Sequence, residues 1–180
     1  MRKTNTLHVI LEIVAILSFI FIGVTVLTFL AYPDVDIHNK SFIGSIILAI
    51  GTTELVQFLS LNYLGRRINV INSVVAGISM ALGIVFMAAK LELDTVCLIW
   101  AISAIAFQIA KIINGGFNLM KKPLLNAGVI ILGIVEIIYC IFLIVNRSKS
   151  LIPFFTFLGV SLLVRAFLYI IEFFIHRYQK

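Results

Sequence analysis

Several ionisable residues of this 180-residue sequence lie within otherwise apolar runs. They are Glu12, Glu54, Lys111, Glu136, Arg165 and Glu172. In "LGIVEIIYC", for example, Glu136 is the one charged residue of an aliphatic stretch. An unpaired charge near the middle of a bilayer costs at least ~2.5–3.5 kcal/mol. If these runs cross a membrane, Glu136 must therefore be paired with a base, protonated or hydrated.

The depths of the charged residues predict two ion pairs. Depth is counted from the segment ends that carry most of the basic residues, at ~1.5 Å per residue. On this scale Glu136 lies ~18 Å deep, and Arg165 and Glu54 each lie ~15 Å deep. Arginine stays charged and offers several donors, so we expect a Glu136–Arg165 pair between the fifth and sixth apolar segments. Lys111 is shallower, and we expect it to pair with Glu54 between the second and fourth segments.

Two interpretations of these charges are open. In the structural interpretation, the ion pairs hold the helices in register, and Glu12 and Glu172 lean towards the membrane interface. In the functional interpretation, a polar cavity holds four carboxylates against two bases, and at least one carboxylate exchanges protons. A water-filled cavity that reaches Glu136 would favour transport, whereas carboxylates closed off in ion pairs would favour a structural role.

The elements that must position these residues are long apolar segments. The sequence is 62% hydrophobic and only 12% charged, about half the charged fraction of a soluble domain. Each segment has close to the ~20 residues that a helix needs to cross the bilayer. We predict an all-α, polytopic integral membrane protein with six transmembrane helices, approximately Leu7 to Tyr32, Ser41 to Leu64, Val70 to Ala89, Asp94 to Asn114, Leu124 to Val145 and Leu151 to Ile175.

The basic residues predict the orientation. One set of alternate segment ends carries eight of them: Arg2, Lys3, Arg66, Arg67, Lys121, Lys122, Arg177 and Lys180. The opposite set carries four: Lys40, Lys90, Arg147 and Lys149. By the positive-inside rule, we expect a multi-pass protein of the cell's inner (plasma) membrane with both termini cytoplasmic.

Weak self-similarity indicates a single membrane domain, 1–180, built from three tandem hairpins. Gly77 and Gly133 occupy like places in segments three and five, 56 residues apart, and "FIGS" and "WAIS" open segments two and four. The predicted repeats run approximately over 7–67, 68–122 and 123–176. Because a two-span unit returns to its starting side, the copies would share one orientation.

Small residues predict where helices pack. Close contact between small side chains drives helix association in lipid, and Ser73, Gly77 and Ala81 form a small-xxx-small ladder in the third segment. We expect this ladder to pack within the molecule and the central hairpin, segments three and four, to be the most tightly packed pair. A dimerisation face is the alternative.

The last two segments resemble a known repeat. "AGVIILGIVEIIYCIFLI" and "LIPFFTFLGVSLLVRAFLYIIEFF" are similar to the short glycine-containing repeat of HdeD-like membrane proteins, with Gly128, Gly133 and Gly159 as the matching residues. Arg165 stands where that repeat usually has a second small residue, and the first hairpin matches poorly. The resemblance implies a six-span bacterial inner-membrane protein associated with stress and acid resistance, and it transfers no catalytic residue.

These observations favour a non-enzymatic membrane protein with no catalytic residue, metal site or cofactor, since the sequence has no CxxC, HExxH, GxSxG or GxxxxGK[ST] motif. The leading hypothesis is an HdeD-like stress or acid-resistance protein. The alternatives are a small transporter or proton/cation conduit using Glu54, Glu136 and Arg165, and a partner-binding membrane subunit. The expected partners are the lipid bilayer and a second copy or another membrane protein. Nucleic acid is not expected, because the basic residues form no stripe.

Overall fold

The computed structural model describes residues 6–32, 39–63, 70–118 and 123–178, and these residues are all-helical. The α-helices are α1 Thr6–Ala31, α2 Lys40–Tyr63, α3 Val70–Ala88, α4 Leu93–Asn118, α5 Pro123–Asn146 and α6 Leu151–Tyr178, with a short 3₁₀ turn at Arg147–Ser150 before α6. The predicted all-α class is confirmed for the described part of the chain. Each predicted segment corresponds to one helix, and the ends differ by a few residues.

Within the described part of the chain, four helices are long and apolar enough to cross a membrane. Their candidate spans are Val9–Ala31 in α1, Leu93–Ile113 in α4, Pro123–Asn146 in α5 and Leu151–Ile175 in α6. Helices α2 and α3 contribute the apolar stretches Ser41–Val56 and Ser73–Ala88. The structure therefore supports a membrane protein with several spanning helices.

The distribution of side chains is that of a protein surrounded by lipid. Large apolar residues point outwards on several helices, including Leu17, Phe21, Ile131, Val145 and Phe167, all more than half exposed. Polar and charged residues are buried instead, among them Glu54, Gln108, Glu136 and Arg165. A soluble protein would hide the first group and hydrate the second. This inverted arrangement agrees with the four apolar spans.

The helices pack as a ring in chain order, closed by contact between α1 and α6. The most extensive interfaces are α2 with α3, α4 with α5, and α1 with α6, whereas α3 and α4 make the least extensive contact between consecutive helices. The prediction that the central hairpin, α3 and α4, packs most tightly is therefore wrong. The extensive interfaces join the last helix of one predicted repeat to the first helix of the next.

Glycines set the closest helix crossing, that of α2 with α3. A Cβ atom added to Gly83 would lie 2.7 Å from the backbone nitrogen of Leu48 and 2.8 Å from the carbonyl oxygen of Gly44. Both neighbours are backbone atoms and cannot move aside without displacing a helix. The two backbones therefore approach as closely as small residues permit, which is how helices associate in lipid.

Candidate functional site

Four charged side chains from four different helices meet inside the ring. Glu54 comes from α2, Lys111 from α4, Glu136 from α5 and Arg165 from α6. The two glutamates and the arginine are each less than a tenth exposed. Each of these residues lies on an otherwise apolar helix. Packing of the helices brings the four charged side chains together.

Arg165 is the centre of this charge network, which we define as Lys111, Glu54, Arg165 and Glu136. Its Nη2 donates a hydrogen bond to Oε2 of Glu136 at 3.2 Å, and its Nη1 lies 3.6 Å from Oε1 of Glu54. The ammonium group of Lys111 forms an ion pair with the same oxygen of Glu54. Both predicted pairs, Glu136–Arg165 and Glu54–Lys111, are present in the structure.

The contact between Arg165 and Glu54 was not predicted. It joins the two pairs into one chain, in which two carboxylates face two cations and the formal charges cancel. The equal estimated depths of Glu54 and Arg165, ~15 Å each, were the available signal. Pairing each charge with a single partner leaves this third contact out.

A cavity of about 50 Å³ lies beside the charge network. Its polar lining consists of the four charged residues together with Ser79 of α3 and Gln108 of α4, and its apolar lining includes Trp100 and Leu162. One water molecule needs roughly 10–15 Å³ of such volume. The cavity is therefore large enough for a few waters or one small solute.

Ser79 and Gln108 were not singled out by the sequence analysis. Gln108 precedes Lys111 by about one helical turn, so both project from one side of α4. A polar residue at that spacing on an apolar helix was a signal that could have been used. Ser79 gave a weaker signal, because serine is common in membrane helices and its hydroxyl donates to the carbonyl oxygen of Val75.

Two polar atoms of the cavity residues have no hydrogen-bond partner within the described part of the chain. They are Oε1 of Gln108, an acceptor, and Nε of Arg165, a donor. Both residues are more than nine-tenths buried. Leaving such a group unsatisfied costs about 1–3 kcal/mol, and more when the group is charged. Helix packing alone therefore does not account for the polar groups of this site.

Aromatic side chains pack around Trp100, one of the residues that line the cavity. The Trp100 ring contacts Phe154 edge-on at a centroid distance of 4.8 Å and lies 5.6 Å from Phe155, which in turn contacts Phe42 at 5.8 Å. These rings come from the N-terminal parts of α2, α4 and α6. They precede the charged residue of the same helix by 10–12 residues, or ~15–18 Å.

The remaining intramembrane acids lie away from the cavity lining. Glu12 is partly exposed on α1, and Glu172 is buried near the end of α6. Each takes part in an interaction of its own. The structure thus brings four of the six embedded charges together at the cavity and leaves these two outside its lining.

Two of the three residues of the predicted packing ladder, Gly77 and Ala81, do not pack within the molecule, whereas Ser73 is half-buried. Gly77 and Ala81 are exposed, and a Cβ atom added to Gly77 would meet nothing within 4 Å. The expectation of intramolecular packing is therefore corrected. The face of α3 that packs carries Ala76 and Gly83, which are buried against α2. The exposed face and the packed face of α3 both bear small residues, so residue composition does not show which face packs against α2.

Among the residues described by the structure, no three His, Cys, Asp or Glu side chains form a group that could hold a metal ion. No family model, curated protein or solved structure matches the chain. The HdeD-like resemblance therefore stays a prediction. The class that the fold and the site define is a helical membrane protein with a buried polar cavity.

Proposed function

We propose that the chain is a small membrane transporter whose substrate site is the cavity beside the charge network. Glu54, Glu136 and Arg165 would form the polar wall of that site, with Lys111 neutralising Glu54. The observation that carries the proposal is the combination of charges from four helices with a cavity that reaches Glu136. The protein would act without chemistry on its substrate, as a non-enzymatic carrier or conduit.

The rival interpretation, in which the ion pairs only hold the helices in register, accounts for the pairing of the charges. It gives no role to the cavity or to the unpartnered atoms of Gln108 and Arg165. A purely structural network gains stability when every polar group is satisfied and no space is left beside it. The transport proposal accounts for the pairs, the space and the unpartnered atoms together.

The proposal includes a topology. All six helices would cross the inner membrane, and α2 and α3, with 24 and 19 helical residues, are long enough to do so. The positive-inside rule would put both termini in the cytoplasm. The aromatic side chains around Trp100 would then lie on the outer side and the charge network on the cytoplasmic side.

Solute flux in proteoliposomes tests the proposal. Entry of small solutes is followed by light scattering, and proton movement by a pH-sensitive dye inside the vesicles. Glu136→Gln should lower the protein-dependent flux at least about tenfold, because it removes a charged partner of Arg165 at the cavity wall. Glu92→Gln, the same exchange at an exposed glutamate, is the matched control and should leave flux unchanged. Equal fluxes in the two variants would leave only the structural role.

The resemblance to HdeD-like proteins adds a physiological setting, acid stress, to this proposal. A membrane carrier that handles solutes during acid exposure would protect the cell without enzymatic activity. Deletion of the gene should then reduce survival at low pH, and the Glu136→Gln variant should fail to restore it. Full survival of the deletion strain at low pH would contradict a role in acid stress. The transport proposal would then be tested by the flux measurement alone.

The third predicted class, a partner-binding membrane subunit, depends on the Ser73, Gly77 and Ala81 face of α3. The outward position of Gly77 and Ala81 is the observation that favours this class over internal packing for those residues. Chemical crosslinking in native membranes tests it, since a partner on this face should be lost in a Gly77→Phe variant. Crosslinks that persist unchanged in that variant would exclude this face as the contact.

A further inference from the structure

We infer that the cavity binds a small solute with no net charge that both donates and accepts hydrogen bonds. This inference rests on the proposed transport site and names its substrate class. It follows from the charge balance of the wall, the two unpartnered polar atoms and the size of the cavity.

The charge balance argues against an ion. Glu54 and Glu136 are matched by Lys111 and Arg165, and each carboxylate is in contact with at least one cation. A bound cation or anion would therefore add an uncompensated charge to a site enclosed by apolar side chains such as Leu82 and Leu162. A neutral solute avoids that cost and leaves the ion pairs intact.

The unpartnered atoms specify the hydrogen bonds. Oε1 of Gln108 requires a donor and Nε of Arg165 requires an acceptor. Both residues line the cavity, although the two atoms themselves are fully covered in the structure. A rotation of each side chain that turns these atoms towards the cavity would let a solute with an N–H or O–H group on one side and a carbonyl or hydroxyl oxygen on the other satisfy both residues.

The volume limits the size of the solute. About 50 Å³ corresponds to roughly three to five water-sized positions. A short amide, urea or a small polyol fits this description, and a sugar or an amino acid with a large side chain does not. Trp100 lines the same cavity and is the single tryptophan of the sequence. Its fluorescence therefore reports binding directly, without any measurement of transport.

The test is a fluorescence titration of the purified full-length protein in lipid nanodiscs with two matched solute pairs. Acetamide is compared with acetate, and urea with guanidinium, since the members of each pair have similar shape and differ in charge. We expect a saturable change in Trp100 emission with the neutral members, half-complete on the order of 10 mM because so small a ligand makes few contacts. The charged members should give no saturable change. Saturation with acetate or guanidinium, or none with either neutral solute, would overturn the inference.

Two variants make the test specific. Gln108→Met keeps the size of the side chain, removes the acceptor, and should weaken acetamide binding at least about fivefold, as loss of one hydrogen bond predicts. Thr156→Val is the control, because that exposed hydroxyl donates only to the carbonyl oxygen of Ile152 among the contacts the structure describes. Equal weakening in both variants, or in neither, contradicts the assignment of Gln108.

A variant that gains binding separates a specific change at the site from misfolding, since misfolding only causes a loss of binding. Glu136→Gln leaves one excess positive charge at the site, and Arg165 cannot lose its proton. This variant should therefore acquire a saturable response to acetate that the unmodified protein lacks. If it still responds only to acetamide, charge balance does not set the substrate class. Flux is read separately: binding without flux contradicts the transport proposal, and flux of ions without acetamide binding contradicts the substrate class.

Discussion

At the scale of single residues, Arg165 holds the charge network together. It contacts both Glu136 and Glu54, whereas Lys111 contacts Glu54. Loss of Arg165 would leave Glu136 without the base that the structure assigns to it, while Glu54 would keep Lys111. The effects on stability of substituting Arg165 and of substituting Glu136 are therefore not additive.

Arg165→Met should destabilise the protein by about 3–5 kcal/mol, because it strands a buried carboxylate at Glu136. The double variant Arg165→Met/Glu136→Leu should recover at least half of that loss, since the stranded charge is gone and Glu54 is still paired. The measurement is the free energy of unfolding in mixed micelles. Arg147→Met, at an exposed arginine, is the control and should change little. A double variant as unstable as the single one would show that the pair does not act as a unit.

Much of the site could be predicted at the residue scale. An isolated charge in an apolar run is conspicuous, and the cost of burying it predicts a partner at similar depth, as found for Glu136 with Arg165. Gln108 and Ser79 escaped prediction because uncharged polar residues are tolerated in membrane helices without a partner of opposite charge. Their role at the cavity depends on which face of α4 and α3 turns inwards.

At the scale of helices, α3 shows what sequence cannot decide. Its glycines, Gly77 and Gly83, are similar in sequence context, yet the first is exposed and the second is buried against α2. In a soluble protein, the pattern of apolar residues would reveal the buried face. In lipid, both faces are apolar, so hydrophobicity does not separate them. The existence of the helix was predictable and its rotation was not.

The two glycines of α3 therefore give a matched prediction. Gly83→Ala should destabilise the protein by about 1–3 kcal/mol, because the added Cβ overlaps the backbone of α2. Gly77→Ala should be neutral or stabilising by up to about 1 kcal/mol, since space is open there and alanine favours a helix. Thermal unfolding in nanodiscs compares the two variants. Equal sensitivity at both positions would contradict the packing of α3 described above.

At the scale of the whole molecule, the sequence predicted the helices but not their arrangement. Apolar length located all six, because backbone hydrogen bonding in lipid demands helices. The closure of the ring by α1 and α6 joins residues from opposite ends of the chain, and no local pattern predicts such a contact. The cavity is lined by residues of five helices, α2 to α6, so it too depends on contacts between distant parts of the chain.

Access of small solutes to the cavity can be measured by thiol labelling. Ala104 and Ala101 are both buried alanines of α4, but only Ala104 belongs to the cavity lining. Cys97 and Cys140 are free, buried thiols and are first replaced by alanine so that they give no background. Ala104 and Ala101 are then changed to cysteine, one at a time. The protein in lipid vesicles is exposed to iodoacetamide, a small neutral amide that alkylates thiols.

This labelling tests the central claim, a membrane-embedded cavity that small neutral solutes can enter. Ala104→Cys should react with iodoacetamide at least about tenfold faster than Ala101→Cys, because only position 104 lines the cavity. An excess of acetamide should slow the reaction at position 104 and leave position 101 unchanged. An Ala104→Cys variant that reacts no faster than Ala101→Cys would contradict the account and leave the charge network as a sealed structural core.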